Sequence, residues 1–284
     1  MSVKTPKVSV LTPIYNTNPE HLREMIESIL NQTFTDFEFL ILNDSPENTE
    51  LDDIVNSYND DRIIYSKNDK NIGISASRNK LLKMARGEYV AIFDHDDISV
   101  PDRLAQEVEY LDTNPHIGVV SGWLQYFGDR NDILKNPEHD LKIRTFLTQM
   151  CCVAHTAAMI RKSILIDNNI EYEEYYTPAE DYRLWARLMN ITHFYNIQGV
   201  LVKYRWNNAN TSIKYANTMC LHGEEIALDI RNRFPEHWKL FNKQPDANRT
   251  LFRVRLFGII PIIKVKNNWV FLFEFVPLFK IRWK

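Results

Sequence analysis

An apolar run that ends in three closely spaced carboxylates is the part of this chain best suited to chemistry. Residues 89–93 are Tyr-Val-Ala-Ile-Phe, and Asp94, Asp96 and Asp97 follow at once. Like charges this close repel one another, and carboxylate oxygens are ligands that Mg²⁺ and Mn²⁺ prefer. A cation with few protein ligands completes its shell with water and substrate phosphates. The spacing therefore predicts a metal site for a phosphorylated substrate; the alternative is a polar turn before the next helix.

A second candidate lies in residues 177–188. Thr177, Pro178 and Glu180 have the spacing of an N-cap, a first helical residue and the acid of a capping box, which gives Glu180 a structural role. Asp181 instead shares a helix face with three apolar residues, Leu184, Trp185 and Leu188. A carboxylate on an inward face needs a partner or a function. Asp181 is therefore a candidate acid or base, or else a buried carboxylate satisfied by its neighbours.

Two further polar residues stay ambiguous. Arg78 precedes the acidic strand, and a guanidinium in a crevice suits a phosphate or the edge of a nucleobase, but an ordinary solvated helix residue fits as well. His155 precedes an apolar run. A lone histidine in that setting is more often a satisfied structural residue than a catalyst.

Strand and helix patterns alternate through the first half of the chain, which is typical of repeated β-α units with a mostly parallel sheet. Strands are predicted at 7–15, 37–42, 62–66 and 89–93, and helices at 19–30, 74–86 and 101–113. Three of the strands end in polar residues, which in such sheets converge on one crevice. No Gly-x-Gly-x-x-Gly or Walker pattern is present, which argues against a dinucleotide dehydrogenase and a P-loop NTPase.

The segment 249–284 differs in charge from the rest of the chain. It carries eight basic residues against Glu274 alone, a net +7 that leaves −10 for residues 1–248. Residues 256–266 also realign with 272–282, so the segment contains a repeat of sixteen residues. Its apolar runs are far shorter than the roughly 20 residues that span a bilayer. Basic residues interleaved with aromatic ones are typical of a contact with an anionic membrane surface, and the alternative is a pair of hairpin strands that complete the core.

The remaining composition favours an intracellular protein. Cys151, Cys152 and Cys220 give neither an even disulfide framework nor a zinc pattern, and the N-terminus has no apolar core of signal-peptide length. We therefore expect a reducing cytosol and no nucleic-acid partner. The predicted organisation is a catalytic domain at 1–212, a helical extension at 213–248 and a basic aromatic tail at 249–284 that docks on a membrane or a protein.

Six motifs together resemble the family 2 inverting glycosyltransferases of the GT-A fold. They are the runs at 7–16, 41–45, 71–79, 85–90, 94–97 and 180–182. The resemblance covers roughly residues 7 to 210. It implies an α/β nucleotide-sugar-binding fold with helices around a mostly parallel central sheet. It also implies transfer of a sugar, most often from a UDP-sugar, to a glycan or lipid-linked acceptor.

The resemblance assigns roles to seven residues. Pro13 and Tyr15 would line the uridine pocket, Asp44 would bind the uracil, Arg78 would contact the nucleotide, Asp96 would meet the ribose and the metal, Asp97 would ligate Mg²⁺ or Mn²⁺ directly, and Asp181 would be the general base. The tail resembles repeats at the ends of bacterial surface-polysaccharide transferases. That similarity implies a peripheral position on the cytoplasmic face of the inner membrane.

One position departs from the family pattern. Many relatives carry a histidine after the strand at 200–205 that helps to hold the metal or the diphosphate, whereas here Trp206, Asn207 and Asn208 follow. Whether Asn207 takes part in metal binding stays open. Two other classes are weighed against the transferase. A nucleotidyltransferase should have a basic Gly-rich loop after its first strand, which residues 12–16 lack, and a non-catalytic nucleotide-binding protein would leave Asp181 without a purpose.

Overall fold

The computed structural model describes residues 5–207 and 210–243, and in the tail the backbone of four strands. The strands of the main sheet are β1 (Val8–Ile14), β2 (Phe37–Asn43), β3 (Ile63–Lys67), β4 (Tyr89–Ile92), β5 (Ile98–Ser99), β6 (Ile117–Gly128), β7 (Ile133–Leu134), β8 (Met159–Arg161) and β9 (His193–Trp206). The helices are α1 (Pro19–Leu30), α2 (Thr49–Asn56), α3 (Ile74–Met84), α4 (Arg103–Thr113), α5 (Asp140–Leu147), α6 (Lys162–Asp167), α7 (Glu180–Leu188), α8 (Thr211–Lys214), α9 (Ala216–Arg233) and α10 (Pro235–Asn242).

The main sheet has the order β3-β2-β1-β4-β8-β6-β9-β5, with β7 paired to β6. Strands β1 to β4 are mutually parallel, as predicted, whereas β8 runs antiparallel to both β4 and β6. In β1, Ile14 pairs with Asn43 of β2, and Leu11 pairs with Ile92 of β4. The carboxyl ends of β1, β2 and β4 therefore meet at one edge of the sheet, where the sequence predicts a crevice.

Helices cover both faces of the sheet because its central strands are apolar on both sides. On one face, Val10 and Ile41 pack with buried residues of α1, α2 and α4; on the other, Leu11 and Leu40 pack with residues of α3, α5, α7 and α9. The start of α1 follows the sequence closely, since the side chain of Asn18 accepts hydrogen bonds from two main-chain N–H groups of the first turn.

Helices α9 and α10 lie within the predicted helical extension, and α8 crosses its predicted start at residue 213. Ile226, Ala227 and Ile230 of α9 are fully buried and belong to the same apolar cluster as α7. Helix α9 therefore packs on the helical layer that covers one face of the main sheet. Among the described helices, none is both long and apolar enough to cross a membrane.

The tail strands are β10 (Phe252–Leu256), β11 (Ile260–Lys266), β12 (Trp269–Leu272) and β13 (Val276–Lys280), which form an antiparallel sheet in that order. Arg255 opposite Pro261 in the first hairpin corresponds to Phe271 opposite Pro277 in the second, and each hairpin has its register shift just before that pair. The sixteen-residue repeat of the sequence is thus a repeated hairpin. Where described, the four strands pair with one another and not with the main sheet.

Candidate active site

The acidic loop, residues 94–97, directly follows β4 at the carboxyl edge of the sheet. Its carboxylates differ in exposure, because Asp97 is fully buried whereas Asp94 and Asp96 are half-buried. Arg103 of α4, also fully buried, donates from Nη2 to the main-chain oxygen of the last residue of β4 at 2.9 Å. This contact anchors the strand end from inside the core, so the loop begins at a fixed position.

Asp97 is held by protein donors on both of its oxygens. Its Oδ2 accepts from the hydroxyl of Thr156 and its Oδ1 accepts from the main-chain N–H of Arg205, each at 2.9 Å. The Thr156 hydroxyl in turn accepts from the main-chain N–H of Asp94 at 3.1 Å. Burial, and then the charges of Asp96 and Asp94, raises the pKa of Asp97 well above its usual range. The loop conformation is therefore set largely through Asp97.

Arg78 joins the acidic loop to the start of α7. Its Nη2 donates to Asp94 Oδ1 at 2.9 Å and its Nη1 donates to Glu180 Oε1 at 2.6 Å. Arg78 and Glu180 are both more than nine-tenths buried. Burial opposes the charge of Arg78, but the charges of Asp94 and Glu180 outweigh it, so the pKa of the guanidinium is raised. The guanidinium thus pairs with two carboxylates of the protein itself.

The Glu180 contact corrects the sequence prediction of a capping box. Helix α7 begins at Glu180 with Ala179 as its N-cap, and no side chain caps it. The Thr177 hydroxyl instead makes a 2.7 Å hydrogen bond with the Ser75 hydroxyl of α3. Glu180 faces Arg78 because α3 packs beside the start of α7, a contact between segments 102 residues apart in sequence. Local spacing could not show it.

Asp181 is a half-buried carboxylate on the face of α7 that the sequence predicted. Its Oδ1 accepts from the main-chain N–H of Tyr182 at 2.6 Å, and the Cys151 sulfur lies 3.9 Å from Oδ2. Burial, followed by the charge of Glu180, raises the pKa of Asp181 to about 7. A carboxyl group with this pKa can accept a proton near neutral pH and is well matched to general-base chemistry.

Asp44 orders the loop before α3. Its carboxylate accepts from Asn68 Nδ2 at 2.7 Å and from the main-chain N–H groups of Ile72 and Gly73, each at 2.9 Å. Gly73 has a φ of +85°, a value that glycine adopts readily. A carboxylate offers about four acceptor positions, so three contacts leave limited room for a nucleobase. The contact of Asp44 with uracil stays a prediction.

Pro13 and Tyr15 lie at the same edge of the sheet. Pro13 is buried near the end of β1, beside Leu42 of β2, whereas Tyr15 is 51% exposed immediately after the strand. The main-chain N–H of Asn16 donates to Ser45 Oγ at 3.1 Å, which ties the ends of β1 and β2 together. An exposed tyrosine ring at this edge can stack on a planar base.

His155 and Asn207 lie in different environments. His155 is buried, its Nε2 lies 2.8 Å from the Tyr172 hydroxyl, and burial, then the charge of Arg78, lowers its pKa well below the usual range. This environment favours the structural interpretation of His155. Asn207 donates its main-chain N–H to the side chain of Asn210 in the turn after β9. Whether Asn207 takes part in metal binding stays open.

The fit of a divalent cation can be judged from the acidic loop. Within residues 5–207 and 210–243, no group of three or more His, Cys, Asp and Glu side chains could hold a metal. The Asp96 carboxylate accepts no hydrogen bond from those residues, and Asp94 has one oxygen engaged by Arg78. These carboxylates fit a cation that takes one or two protein ligands and completes its shell with phosphate and water. Asp97 fits less directly because protein donors occupy both of its oxygens.

Two residues of the site were not foreseen in the sequence. Thr156 and Arg205 orient Asp97, although they lie on segments far from the acidic loop. Thr156 had a weak signal, since it is next to the candidate His155. Arg205 had none beyond its place near the end of a strand.

Comparison with known proteins identifies the family. The model of the family described as Glycosyl transferase family 2 matches residues 9–168. The chain belongs to this family. An uncharacterised glycosyltransferase of Methanocaldococcus jannaschii is 34% identical over 254 residues, which cover 87% of this chain and 84% of that protein.

A second relative carries a specific name. It is the Escherichia coli UDP-Gal:alpha-D-GlcNAc-diphosphoundecaprenol beta-1,3-galactosyltransferase, 30% identical over 229 residues that cover 76% of this glycosyltransferase and 82% of the relative. Among solved structures, S. aureus TarS 1-349 in complex with UDP-GlcNAc superposes with a TM-score of 0.64 and 20% identity, covering 84% of this chain and 76% of that one. The GT-A fold predicted from the sequence is thereby confirmed.

Proposed function

We propose that this glycosyltransferase moves a sugar from a UDP-sugar to a glycan or lipid-linked acceptor, with inversion at the anomeric carbon and with Mg²⁺ or Mn²⁺. The observation that carries the proposal is the pair of acidic sites joined by Arg78. One is the acidic loop at the carboxyl end of β4, and the other is Asp181 at the start of α7, whose pKa is raised to about 7. The first suits a diphosphate with its cation and the second suits a proton acceptor.

The donor would lie across the ends of β1, β2 and β4, with its base near Pro13, Tyr15 and Asp44. Asp96 and, after release of a protein donor, Asp97 would hold the cation. A bound Mg²⁺ or Mn²⁺ supplies charge neutralisation to the diphosphate leaving group. Arg78 holds the acidic loop next to the start of α7, because its guanidinium contacts both.

Asp181 would act on the acceptor. As the acceptor oxygen forms its bond to the anomeric carbon, its proton passes to the Asp181 carboxylate. The bond from that carbon to the diphosphate oxygen breaks, and its electron pair leaves with UDP. Attack from the side opposite the diphosphate inverts the configuration, so the two acidic sites must flank the donor sugar. A positioned base contributes about 10²- to 10⁴-fold to such a step.

The relatives support the classes of donor and acceptor. The name of the E. coli relative specifies a UDP-sugar donor and a diphosphoundecaprenol-linked acceptor, and the S. aureus structure contains UDP-GlcNAc. We extend these classes to the present enzyme, and with them a role in bacterial surface-polysaccharide synthesis. We propose further that the basic tail contacts an anionic membrane, which would hold the enzyme on the cytoplasmic face of the inner membrane.

The test is a panel of UDP-, GDP- and dTDP-sugars incubated with the purified enzyme and Mn²⁺. We expect slow hydrolysis of a UDP-sugar, loss of that hydrolysis in EDTA, and an inverted anomeric centre in the released sugar by NMR. Turnover of GDP-sugars alone would overturn the donor class, and a retained configuration would overturn the mechanism. Deletion of residues 249–284 tests the tail separately, because unchanged liposome binding by the folded remainder would contradict membrane contact.

A further inference from the structure

Arg205 is the second-last residue of β9 and lies beside the acidic loop. The protein engages only some of the N–H donors of its guanidinium. Its Nε donates to the main-chain oxygen of Asp96 at 2.8 Å, and its Nη2 pairs with the carboxylate of Glu24 on α1. The guanidinium carbon lies 4.4 Å from the centre of the Phe127 ring, which supports its plane. A guanidinium has more N–H groups than these two contacts engage.

The same site contains an arginine of the opposite kind. Arg78 directs both of its Nη atoms at carboxylates, and it is buried with one of them, Glu180. The partner of Arg205 is the half-exposed Glu24, whose side chain is 50% exposed. An ion pair with so exposed a partner contributes little, so Arg205 can exchange it for another anion at small cost. Arg78 would have to abandon a buried pair to do so.

We propose that Arg205 binds the diphosphate of the nucleotide-sugar donor through its Nη atoms and exchanges Glu24 for it. The inference rests on the proposed function, which puts the diphosphate at the acidic loop. The Nε contact with the Asp96 carbonyl fixes the guanidinium beside that loop, and its planar fork matches phosphate oxygens. In this position Arg205 would also stabilise the charge that develops on the leaving diphosphate.

Arg205→Gln separates this binding role from a structural one. The amide nitrogen of glutamine occupies the place of Nε, so the variant keeps a donor for the Asp96 carbonyl and loses both Nη atoms. We expect its affinity for UDP, measured by calorimetry with Mn²⁺, to fall about tenfold or more, because a charge-assisted hydrogen bond is lost. Its affinity for uridine, which has no phosphate, should be unchanged.

Glu24→Gln should change UDP affinity in the opposite direction to Arg205→Gln. Because Glu24 competes with the diphosphate for Arg205, its neutralisation should tighten UDP binding by about two- to fivefold. The matched control is Arg62→Ala. Arg62 also pairs with one carboxylate, Asp60, and donates to one main-chain oxygen, that of Leu30, but it precedes β3 at the opposite edge of the sheet. Its loss should leave both affinities unchanged.

The outcomes separate the inference from the proposed function. Equal losses of UDP and uridine affinity in Arg205→Gln would show that Arg205 only shapes the loop, and would overturn the inference. Unchanged UDP affinity in that variant, or no gain in Glu24→Gln, would overturn it as well. A wild-type enzyme that binds neither UDP nor uridine would contradict the proposed function itself.

Discussion

Two groups of carboxylates in this enzyme are held by one arginine, Arg78. They differ in the environment of the carboxylate that Arg78 does not contact. In the acidic loop Arg78 pairs with Asp94, and Asp96 keeps a carboxylate that no described residue engages through a hydrogen bond. At the start of α7 Arg78 pairs with Glu180, and the adjacent Asp181 keeps an oxygen beside the Cys151 sulfur. In each group one carboxylate holds the structure and a neighbour is available for chemistry.

The environments of the two available groups suit different tasks. Asp96 is half-buried next to the buried Asp97, a setting in which like charges favour a cation. Asp181 is desolvated and lies beside Glu180, which raises its pKa to about 7 and favours proton transfer. Sequence adjacency therefore does not assign a role, because Asp94 and Glu180 pair with Arg78 although each lies in an acidic motif.

The largest expected effect is that of Asp181→Asn on transfer. An asparagine keeps the shape of the side chain but cannot accept the proton, so the turnover rate should fall by about 10²- to 10⁴-fold. The rate would be measured with the active UDP-sugar and an acceptor. A variant that transfers the sugar at the wild-type rate would contradict the assignment of Asp181 as the general base.

Arg78→Met should strongly destabilise the fold. It leaves Glu180 buried without its cation, a change that costs about 3–5 kcal/mol in comparable buried pairs. The free energy of unfolding in urea measures the cost, and addition of Glu180→Gln should restore part of it. Lys7→Met is the control, since Lys7 pairs with the exposed Glu88 and Asp112 and should contribute less than about 1 kcal/mol. Equal losses in the two variants would argue against Arg78 as the shared support.

Asp44→Asn should have an intermediate effect. An amide has one oxygen where the carboxylate has two, so its N–H₂ group would face one of the main-chain donors at Ile72 and Gly73. Leaving such a donor unpaired costs about 1–3 kcal/mol, again measured by urea unfolding. A variant with full stability but weak UDP binding would instead assign Asp44 to the nucleobase.

The smallest effect is expected in the pH profile of Glu180→Gln, a variant that keeps an oxygen to accept from Arg78. Asp181 works as a base only when ionised, so transfer should decline as the pH falls below about 7. Removing the charge of Glu180 lowers the pKa of Asp181, and the acidic limb of turnover against pH should move to lower pH. A limb that does not move, or moves to higher pH, would exclude electrostatic coupling within the α7 pair.

Local sequence patterns predicted what depends on near neighbours. The strands β1 to β4, the helices α1, α3 and α4, the cap at Asn18 and the inward face of Asp181 all follow from short-range spacing, whereas α2 and the two-residue β5 were not predicted. The mixed half of the sheet was harder to foresee, because β8 inserts between β4 and β6 and such pairing depends on distant segments.

The contacts that orient the carboxylates of the site could not be predicted for the same reason. Glu180 fits a capping box by spacing, yet a guanidinium 102 residues away competes for it and forms the buried ion pair. Thr156 and Arg205 approach the acidic loop from 59 and 108 residues beyond Asp97. The sequence therefore predicts which residue types do chemistry, whereas the contacts that orient them become visible only in the fold.

Donor binding distinguishes the proposed role of the acidic loop from that of the start of α7. Calorimetric titration of the UDP-sugar with Mn²⁺ should give wild-type affinity for Asp181→Asn and an affinity at least about tenfold weaker for Asp97→Ala, because the proposed cation site for the diphosphate lies in the acidic loop and not at the start of α7. An Asp97→Ala enzyme that binds the donor as tightly as the wild type, or an Asp181→Asn enzyme that loses as much affinity, would contradict the account.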